Sequence, residues 1–215
     1  MSRAVIFDLD GTLLNTLGDL CDSVNFVLDS YGFPQRTVNE VNSFIGNGVG
    51  ELIRRALPSD AQDKFDEALA RFKEYYGAHS NIRTCVYDGL IPMLLKLRAD
   101  GYKIGVVTNK VDFAAKALCD EYFGELVDVA IGDRAGVPRK PAPDSVLEAM
   151  SLLCADRAVF VGDSDVDVAT AKNAGLPCIC VTWGFREKEF LSSCGCTLFA
   201  DTVDELYEII KGVAL

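Results

Sequence analysis

Short apolar runs rich in β-branched residues alternate with helical segments through most of this 215-residue chain. The pattern predicts five strands, at residues 4–9, 103–108, 126–131, 158–161 and 178–182. It predicts helices at residues 89–100, 111–119, 144–153, 166–173 and 202–211. Strands separated by helices are typical of a parallel sheet, because each crossover helix carries the chain back to the same edge. The alternation therefore predicts an α/β fold.

Residues 16–82 interrupt this alternation, since they show helical periodicity without a convincing strand. Four apolar residues recur there at spacings of three and four and form a stripe on a helix predicted over residues 60–78, namely Phe65, Leu69, Phe72 and Tyr76. Packing inside a helical bundle accounts for this stripe. We therefore predict a helical domain of residues 16–82 inserted into a core domain of residues 1–15 and 83–215.

The charge balance argues against two classes of partner. The chain carries 32 Asp and Glu against 21 Lys and Arg, a net charge of −11. Such a field repels phosphate backbones and anionic lipid surfaces, so we expect neither nucleic acid nor membranes as partners. No apolar stretch approaches the ~20 residues of a spanning helix, and the acidic Asp8 and Asp10 directly follow the apolar residues 4–7, unlike the core of a signal peptide. We expect a cytoplasmic protein whose eight cysteines are reduced.

The single histidine, His79, limits the available chemistry. It excludes HExxH and multi-histidine metal sites, and any Ser-His or Cys-His catalyst would have to use this one residue. We expect His79 to face solvent and the chemistry to depend on carboxylates.

Two close cysteine pairs carry weaker signals. Cys178 and Cys180 fall in a predicted strand, where alternation sends both thiols to one face and burial accounts for them. The spacing of Cys194 and Cys196 is more like that of a metal-binding or redox-active pair. The sequence has no second cysteine pair at the spacing of a zinc site. A structural zinc site is therefore not expected.

Acidic residues follow two of the predicted strands. Asp8 and Asp10 end the first strand, and their spacing of two sends both carboxylates to one side of the extended chain. Asp163, Asp165 and Asp167 follow the strand at residues 158–161. Because the carboxyl ends of parallel strands meet at one edge of the sheet, the two clusters predict a site for a hard divalent ion such as Mg²⁺.

Helix capping is the alternative explanation for the second cluster, since acidic residues favour helix N-termini. Exposed capping is the better explanation for Asp165. The coincidence of two acidic clusters at two strand ends favours metal binding for Asp163 and Asp167.

Three further polar residues are candidates for binding a phosphoryl group. Thr108 and Asn109 end another predicted strand with a hydroxyl and an amide, which can hydrogen-bond phosphate oxygens without adding charge. Lys140 precedes a predicted helix in a segment stiffened by two prolines, where a cation beside clustered acids would pair with them and hold phosphate. Taken alone, Thr108 and Asn109 are a weak signal, and for Lys140 taken alone a solvated surface position is the better explanation.

Together these segments resemble the four motifs of the haloacid dehalogenase superfamily of phosphohydrolases, in the superfamily's order and over essentially the whole chain. The matching residues are Phe7-Asp8-Leu9-Asp10-Gly11-Thr12-Leu13-Leu14, then Thr108-Asn109, then Lys140 with the following Pro-Ala-Pro, then Gly162-Asp163 with Asp167. The resemblance implies a Rossmann-like parallel-sheet core with an inserted α-helical cap, Mg²⁺ as cofactor and a small phosphorylated metabolite as substrate.

The resemblance also implies roles for individual residues. Asp8 would be the nucleophile that forms an aspartyl-phosphate, and Asp10 would alternate between acid and base. The Mg²⁺ ligands would be the Asp8 carboxylate, the Asp10 backbone carbonyl and Asp163, with Asp167 as a further ligand or as the holder of a ligand water. Halide release needs no proton donor, so the presence of Asp10 disfavours dehalogenase activity.

In the same resemblance, Thr108 and Lys140 bind the oxygens of the transferred phosphoryl group. One departure is Asn15, where relatives often carry an aspartate. Because of its position near the start of the insert, this departure bears on closure of the cap and leaves the chemistry intact.

The insert resembles the helical caps that choose the substrate in one subgroup of the superfamily. Its glycine-rich turn at Gly46, Asn47 and Gly48 opens a predicted helix whose amides could meet an anionic substrate group, although a plain interhelical turn is the alternative. Arg54 and Arg55 follow and are candidates for a substrate carboxylate.

A narrower resemblance points to phosphoglycolate phosphatases. It rests on the Ile-Gly-Asn-Gly stretch around Gly46, on Tyr75 and Tyr76, and on the Lys-Pro-Ala-Pro run. It implies hydrolysis of 2-phosphoglycolate. Pyrophosphatases, sugar-phosphate phosphatases and β-phosphoglucomutases share the same core motifs and remain alternatives, and the sequence does not indicate an oligomeric state.

Overall fold

The computed structural model describes residues 2–213. Its strands are β1 (Arg3–Phe7), β2 (Leu14–Asn15), β3 (Cys85–Val86), β4 (Tyr102–Val111), β5 (Val129–Asp133), β6 (Arg157–Gly162), β7 (Cys178–Val181) and β8 (Leu198–Ala200). Its α-helices are α1 (Leu17–Ser30), α2 (Val38–Phe44), α3 (Gly48–Ala56), α4 (Phe65–His79), α5 (Leu90–Ala99), α6 (Asp112–Tyr122), α7 (Asp144–Leu152), α8 (Asp165–Ala174), α9 (Lys188–Ser193) and α10 (Val203–Gly212). Short 3₁₀ helices occur at Ser59–Lys64 and Gly124–Leu126.

The chain divides into two compact units. One unit spans Asn15–Cys85 and contains α1 to α4. The other joins the residues up to Leu14 with those from Val86 onwards. The short strands β2 and β3, which pair with each other, contain the two points at which the chain passes between the units.

The larger unit is built on a six-stranded sheet in the order β5-β4-β1-β6-β7-β8. Every neighbouring pair of these strands is parallel. The predicted α/β fold with a parallel sheet is confirmed. Since β1 lies between β4 and β6, the segments that follow these three strands emerge side by side at one edge.

Both faces of the sheet are covered by helices, which explains why its strands are almost continuously apolar. Val5 and Phe7 of β1 belong to a core with residues of α5, α6 and α10. Ala4 and Ile6, which alternate with them, belong to a second core with residues of α7 and α8. All four side chains are fully buried. Alternate residues of β1 therefore pack into two separate cores, one on each face of the sheet.

The smaller unit packs α1 to α4 around its own apolar core, in which Val24 of α1 and Phe72 of α4 are fully buried. The segment after α4 is held by Asp19 of α1, a buried carboxylate. Asp19 accepts hydrogen bonds from the backbone N–H groups of Ile82, Arg83 and Thr84 at 3.2, 2.8 and 2.9 Å. These bonds satisfy a charge that would otherwise be costly to bury.

Several predicted element boundaries are wrong. The helix predicted over residues 60–78 begins only at Phe65, because Ser59–Lys64 forms a 3₁₀ helix. The strand predicted from residue 126 begins at Val129, because Gly124–Leu126 is also a 3₁₀ turn. The six-residue α9 and the three-residue β8 were not predicted, since elements this short show no clear periodicity. His79 is half-buried and stacks on Tyr75 at 3.9 Å between ring centroids.

Among residues 2–213, no helix combines the length and apolar character that crossing a membrane requires. The cytoplasmic location stays a prediction.

Candidate active site

The site is assembled at the carboxyl ends of β1, β4 and β6. Phe7, the last residue of β1, pairs with Val106 of β4 and Val161 of β6. The next residue, Asp8, donates its backbone N–H to the Val161 carbonyl at 2.8 Å. The strand register therefore places the first acidic motif between the ends of its two neighbouring strands, which is where ligands bind in open α/β sheets.

Lys140 lies between two buried carboxylates. Its Nζ is 2.8 Å from Asp8 Oδ1 and 2.7 Å from Asp167 Oδ1, and its side chain is only 3% exposed. Burial by itself lowers the pKa of Lys140, but Asp167 and Asp8 outweigh burial and raise the pKa above its usual value. The alternative of a solvated surface lysine is therefore wrong.

The backbone around Lys140 is held by neighbouring side chains. The Asn109 Nδ2 donates a hydrogen bond to the Lys140 carbonyl at 3.1 Å, and the Asn173 Nδ2 donates one to the Pro141 carbonyl at 2.8 Å. The Lys140–Pro141 peptide bond is cis. Asn109, which we predicted to bind substrate, thus contacts the backbone of the lysine that pairs with Asp8.

Asp167 caps α8, as one of the two explanations of the second acidic cluster predicted, and it also pairs with Lys140. Its Oδ2 accepts hydrogen bonds from the Ser164 N–H at 3.0 Å and from the Ser164 hydroxyl at 2.6 Å, and Ser164 caps α8 in return. Its Oδ1 pairs with Lys140. The carboxylate is fully buried, so it fixes the lysine while it closes the helix N-terminus. Metal binding by Asp167 stays a prediction. Asp165, whose side chain is 42% exposed, has its Oδ1 3.8 Å from Arg186 Nε.

Asp163 is enclosed by the loops on either side of it. Its Oδ1 accepts a hydrogen bond from the Thr12 hydroxyl and its Oδ2 one from the Phe185 N–H, both at 2.8 Å. A Cβ atom on Gly11 or on Gly184 would overlap the Asp163 side chain, and Gly11 has a φ of +86°. Glycine is therefore required where these two loops approach the carboxylate.

The pKa values of Asp8 and Asp163 are both raised in this environment. Burial is the largest cause for Asp8, opposed by Lys140 and reinforced by Asp167 and Asp10, and it raises the pKa from 3.8 to about 6. For Asp163, burial and the charges of Asp167 and Asp8 raise the pKa well above its usual value. Two buried carboxylates therefore lack full compensation of their charge.

The donor set fits a hard divalent cation. Asp8, Asp163 and Asp167 each offer an oxygen atom, and these atoms lie within 4.8 Å of one another. Lys140 supplies one positive charge against these three carboxylates, which leaves an excess negative charge. Oxygen donors with excess negative charge suit Mg²⁺ rather than zinc.

Asp10 does not belong to this group of three carboxylates and pairs with Lys110. The Lys110 Nζ is 3.0 Å from Asp10 Oδ1 and 3.4 Å from Oδ2. The lysine side chain is 3% exposed and the Asp10 side chain 18% exposed. Thr108, two residues before Lys110 on β4, is buried, and its hydroxyl accepts a hydrogen bond from the Lys110 N–H at 3.3 Å.

The other predicted substrate-binding residues lie in the smaller unit. Gly46 and Gly48 both have positive φ angles, of 115° and 82°. Arg55 donates hydrogen bonds to the Phe44 carbonyl at 3.0 Å and to the Asn47 Oδ1 at 2.9 Å. These contacts show that Arg55 holds the glycine turn closed, so it is a poor candidate for the substrate carboxylate.

Arg54 differs from its neighbour. Its side chain is 51% exposed, its Nε lies 3.3 Å from Glu51 Oε1, and its guanidinium stacks 4.1 Å from the centre of the Phe65 ring. An exposed pair of this kind contributes little to stability and separates readily.

A comparison with protein families decides the assignment. The sequence profile of the haloacid dehalogenase-like hydrolases matches residues 5–181, which include all of the core motif residues described above. The chain belongs to the haloacid dehalogenase-like hydrolases.

Several relatives of this hydrolase are named phosphoglycolate phosphatase. A phosphoglycolate phosphatase from Pseudomonas aeruginosa is 34% identical over 215 aligned residues, which cover 96% of this chain and 79% of the relative. A phosphoglycolate phosphatase from Cereibacter sphaeroides is 39% identical over 188 residues, which cover 85% of this chain and 86% of the relative. The hydrolase is therefore a phosphatase similar to phosphoglycolate phosphatases.

Solved structures agree with this assignment. A protein from Lactobacillus delbrueckii subsp. bulgaricus matches with a TM-score of 0.91 at 34% identity and covers 96% of this chain and 97% of its own. A predicted phosphoglycolate phosphatase from Haemophilus somnus matches with a TM-score of 0.86 at 27% identity and covers 97% of both chains.

The sequence did not predict that Lys110, Gly184 and Phe185 contribute to the hydrolase site. Lys110 could have been found from its spacing of two from Thr108, because alternate residues of a strand share a face. Gly184 and Phe185 follow β7, and nothing in their local sequence indicates that they enclose Asp163.

Proposed function

We propose that this hydrolase is a Mg²⁺-dependent phosphatase that cleaves 2-phosphoglycolate to glycolate and phosphate through an aspartyl-phosphate. The observation that carries the proposal is the pairing of the buried Asp8 carboxylate with the buried Lys140 ammonium at 2.8 Å, next to the end of the central strand. The relatives named phosphoglycolate phosphatase support the choice of substrate.

We assign the nucleophile to Asp8. Its Oδ1 is buried and held by Lys140, so Oδ2 is the oxygen that attacks phosphorus. The P–O bond to the alcohol breaks as the bond to Asp8 forms, which divides ester hydrolysis into two easier steps. Lys140 lowers the repulsion between the carboxylate and the phosphoryl oxygens.

We assign proton transfer to Asp10. In the first step its carboxyl group gives a proton to the departing alkoxide. In the second step the carboxylate takes a proton from water, and the resulting hydroxide attacks the aspartyl-phosphate, releases phosphate and restores Asp8. Lys110 acts as a positioning residue because it holds the Asp10 carboxylate at 3.0 Å.

The metal would be held by the Asp8 and Asp163 carboxylates and the Asp10 backbone carbonyl, with Asp167 as a further ligand or as the holder of a ligand water. Mg²⁺ bound there would neutralise charge and orient the phosphoryl group. The raised pKa values of Asp8 and Asp163 support this assignment, since burial and the neighbouring carboxylates disfavour their charged forms and a bound cation would stabilise those forms.

Thr108, Asn109 and Lys140 are assigned to the phosphoryl group. The buried Thr108 lies on β4, two positions after Val106, which pairs with Phe7 at the end of β1. Asn109 acts at least in part through the Lys140 backbone that it contacts. Neutral donors and one lysine suit a dianionic group without requiring several cations.

We propose that the inserted residues 16–82 form the cap that selects the substrate over a core of residues 1–15 and 83–215. Gly46, Asn47 and Gly48 form a turn at the N-terminus of α3, where backbone N–H groups favour anions. Arg54 is exposed enough to exchange Glu51 for the carboxylate of the substrate. A small phosphorylated acid would therefore be bound by its two anionic ends.

The experiment is phosphate release from 2-phosphoglycolate, pyrophosphate, hexose phosphates and a generic aryl phosphate, each with Mg²⁺ or EDTA. Metal-dependent turnover that strongly favours 2-phosphoglycolate is expected. Turnover that favours another ester would retain the core mechanism and reject the role of the glycine turn. Conversion of a hexose 1-phosphate to its isomer without phosphate release would instead indicate phosphoryl transfer of the β-phosphoglucomutase type.

A further inference from the structure

Three thiols from two separate segments meet beside β7. Cys178 and Cys180 lie on β7, and Cys196 lies in the segment between α9 and β8. Their three Sγ atoms all lie within 4.8 Å of one another. We refer to these three residues as the thiol cluster. The exposed Cys194, two positions before Cys196 in the sequence, lies outside it.

The backbone places these thiols together without a disulfide between them. The two-residue period of β7 sends Cys178 and Cys180 to one face. The chain turns after α9 at Gly195, which has a φ of +99°, and the Cys196 N–H donates a hydrogen bond to the Leu191 carbonyl at 3.2 Å. Parallel pairing of β7 with β8 then fixes the two segments side by side.

The surroundings of the thiol cluster are apolar. Cys180 and Cys196 are buried together with Val168 and Leu191. Cys178 is half-buried and is the most exposed of the three. Burial as small apolar residues explains each thiol separately, but it does not require that all three sulfurs converge on one point.

A tetrahedral thiolate site for zinc, with Zn–S bonds of about 2.3 Å, separates its sulfurs by about 3.8 Å. The three Sγ atoms lie no more than 4.8 Å apart. Side-chain movements of about 1 Å or less would bring them to the spacing of a zinc site. A disulfide between Cys178 and Cys180 is unfavourable, because alternate residues of a strand are about 6.6 Å apart at Cα, near the upper limit for that bond.

We propose that the thiol cluster is a three-thiolate site for a soft d¹⁰ ion, Zn²⁺, which links β7 to the segment before β8. Water entering beside Cys178 supplies the fourth ligand. The site is separate in chemistry from the carboxylate cluster, since sulfur donors select thiophilic ions and oxygen donors select Mg²⁺. Each bound ion displaces the thiol protons.

The first test is a titration of the reduced full-length protein with Cd²⁺, in excess Mg²⁺ so that the carboxylates are occupied. We expect a thiolate-to-cadmium charge-transfer band that saturates at one ion per chain, release of about three protons per ion, and loss of the band when Zn²⁺ is added. The Cys194→Ser variant is the matched control and should titrate like the wild type.

The decisive variant is Cys178→Ser, because the partly exposed member is the least disruptive to replace. It should bind Cd²⁺ about tenfold or more weakly. A wild-type protein without the band, or a Cys178→Ser variant that titrates like the wild type, would overturn the proposal.

A second measurement needs no variant. Zn²⁺ should slow alkylation of Cys178 by N-ethylmaleimide in the wild-type protein and leave alkylation of the exposed Cys194 unchanged. Equal rates for Cys178 with and without Zn²⁺ would contradict a metal site even if the variant failed to fold.

Discussion

Lys110 and Asp10, which are 100 positions apart in the chain, form an ion pair with 3.0 Å between Lys110 Nζ and Asp10 Oδ1. The pair exists because β4 is the direct neighbour of β1 in the sheet. It holds in one position the carboxyl group to which we assign proton transfer.

Replacing Lys110 with Met should lower kcat by about 10²-fold, since a mispositioned Asp10 loses most of the benefit of acid-base catalysis. KM should change much less, because Lys110 is not assigned to the substrate. Steady-state kinetics of Lys110→Met and Lys110→Arg check this, and Arg should restore part of kcat. Lys103→Met, at an exposed position of the same strand, is the matched control. A large rise in KM with an unchanged kcat would show that Lys110 binds substrate instead.

Asp8→Asn should abolish turnover and stabilise the metal-free protein at neutral pH. The folded pKa of Asp8 is about 6, above its ordinary value of 3.8, so the folded state binds more protons than the unfolded chain between these values. The contribution of Asp8 to the free energy of unfolding therefore falls as pH rises from about 4 to about 6 and stays low above that range. Removing the Asp8 charge should raise the free energy of unfolding by up to about 3 kcal/mol at pH 7.

Chemical denaturation of Asp8→Asn in EDTA at pH 5 and pH 7.5 measures this effect. The free energy of unfolding of Asp8→Asn should exceed that of the wild type by more at pH 7.5 than at pH 5. Asp165→Asn is the control, because its side chain is 42% exposed and lies outside the carboxylate cluster. Retained turnover in Asp8→Asn would remove Asp8 as the nucleophile.

Mg²⁺ should raise the melting temperature of the wild-type protein. An ion that binds only the folded state at 100 times its dissociation constant adds about 2.7 kcal/mol to the free energy of unfolding. Asp163→Asn removes one of the assigned ligands and should largely abolish this shift, whereas Asp165→Asn should keep it. Thermal denaturation with Mg²⁺ and with EDTA separates the two results, and an Asp163→Asn protein that responds like the wild type would exclude Asp163 as a ligand.

Gly184→Ala should greatly reduce Mg²⁺-dependent activity, because a Cβ at this position overlaps the Asp163 side chain and must displace it. The effect is expected both in turnover and in the concentration of Mg²⁺ that gives half of the maximal rate. Gly77→Ala is a suitable control, since no other group lies within 4 Å of the added atom. It lies within α4 and should stabilise the protein by about 0.5–1 kcal/mol. Normal Mg²⁺ dependence in Gly184→Ala would show that Asp163 has room to move.

Local patterns predicted most of the fold. The strands around Val5, Ile104 and Val159 are visible in the sequence because they are buried on both faces and are therefore apolar throughout. The elements that were missed or misplaced, namely β2, β3, α9, β8 and the two 3₁₀ helices, are too short to repeat a pattern.

The sequence likewise predicted some residues of the candidate site and left others open. The positions of Asp8, Thr108 and Asp163 at strand ends follow from local sequence, because each polar residue directly follows or ends an apolar run. The Lys140 ammonium between Asp8 and Asp167 was anticipated only as one of two alternatives, since a buried and an exposed lysine look identical in a sequence.

The sequence by itself determined where the longer strands and helices lie and which carboxylates follow the strands, because burial and periodicity act over a few neighbouring residues. Only the tertiary structure decided that Lys110 pairs with Asp10, that Phe185 binds Asp163 and that Cys196 joins Cys178 and Cys180. These contacts depend on the order of strands in the sheet and on the loops that return to them. Both are set by packing over the whole core rather than by any local pattern.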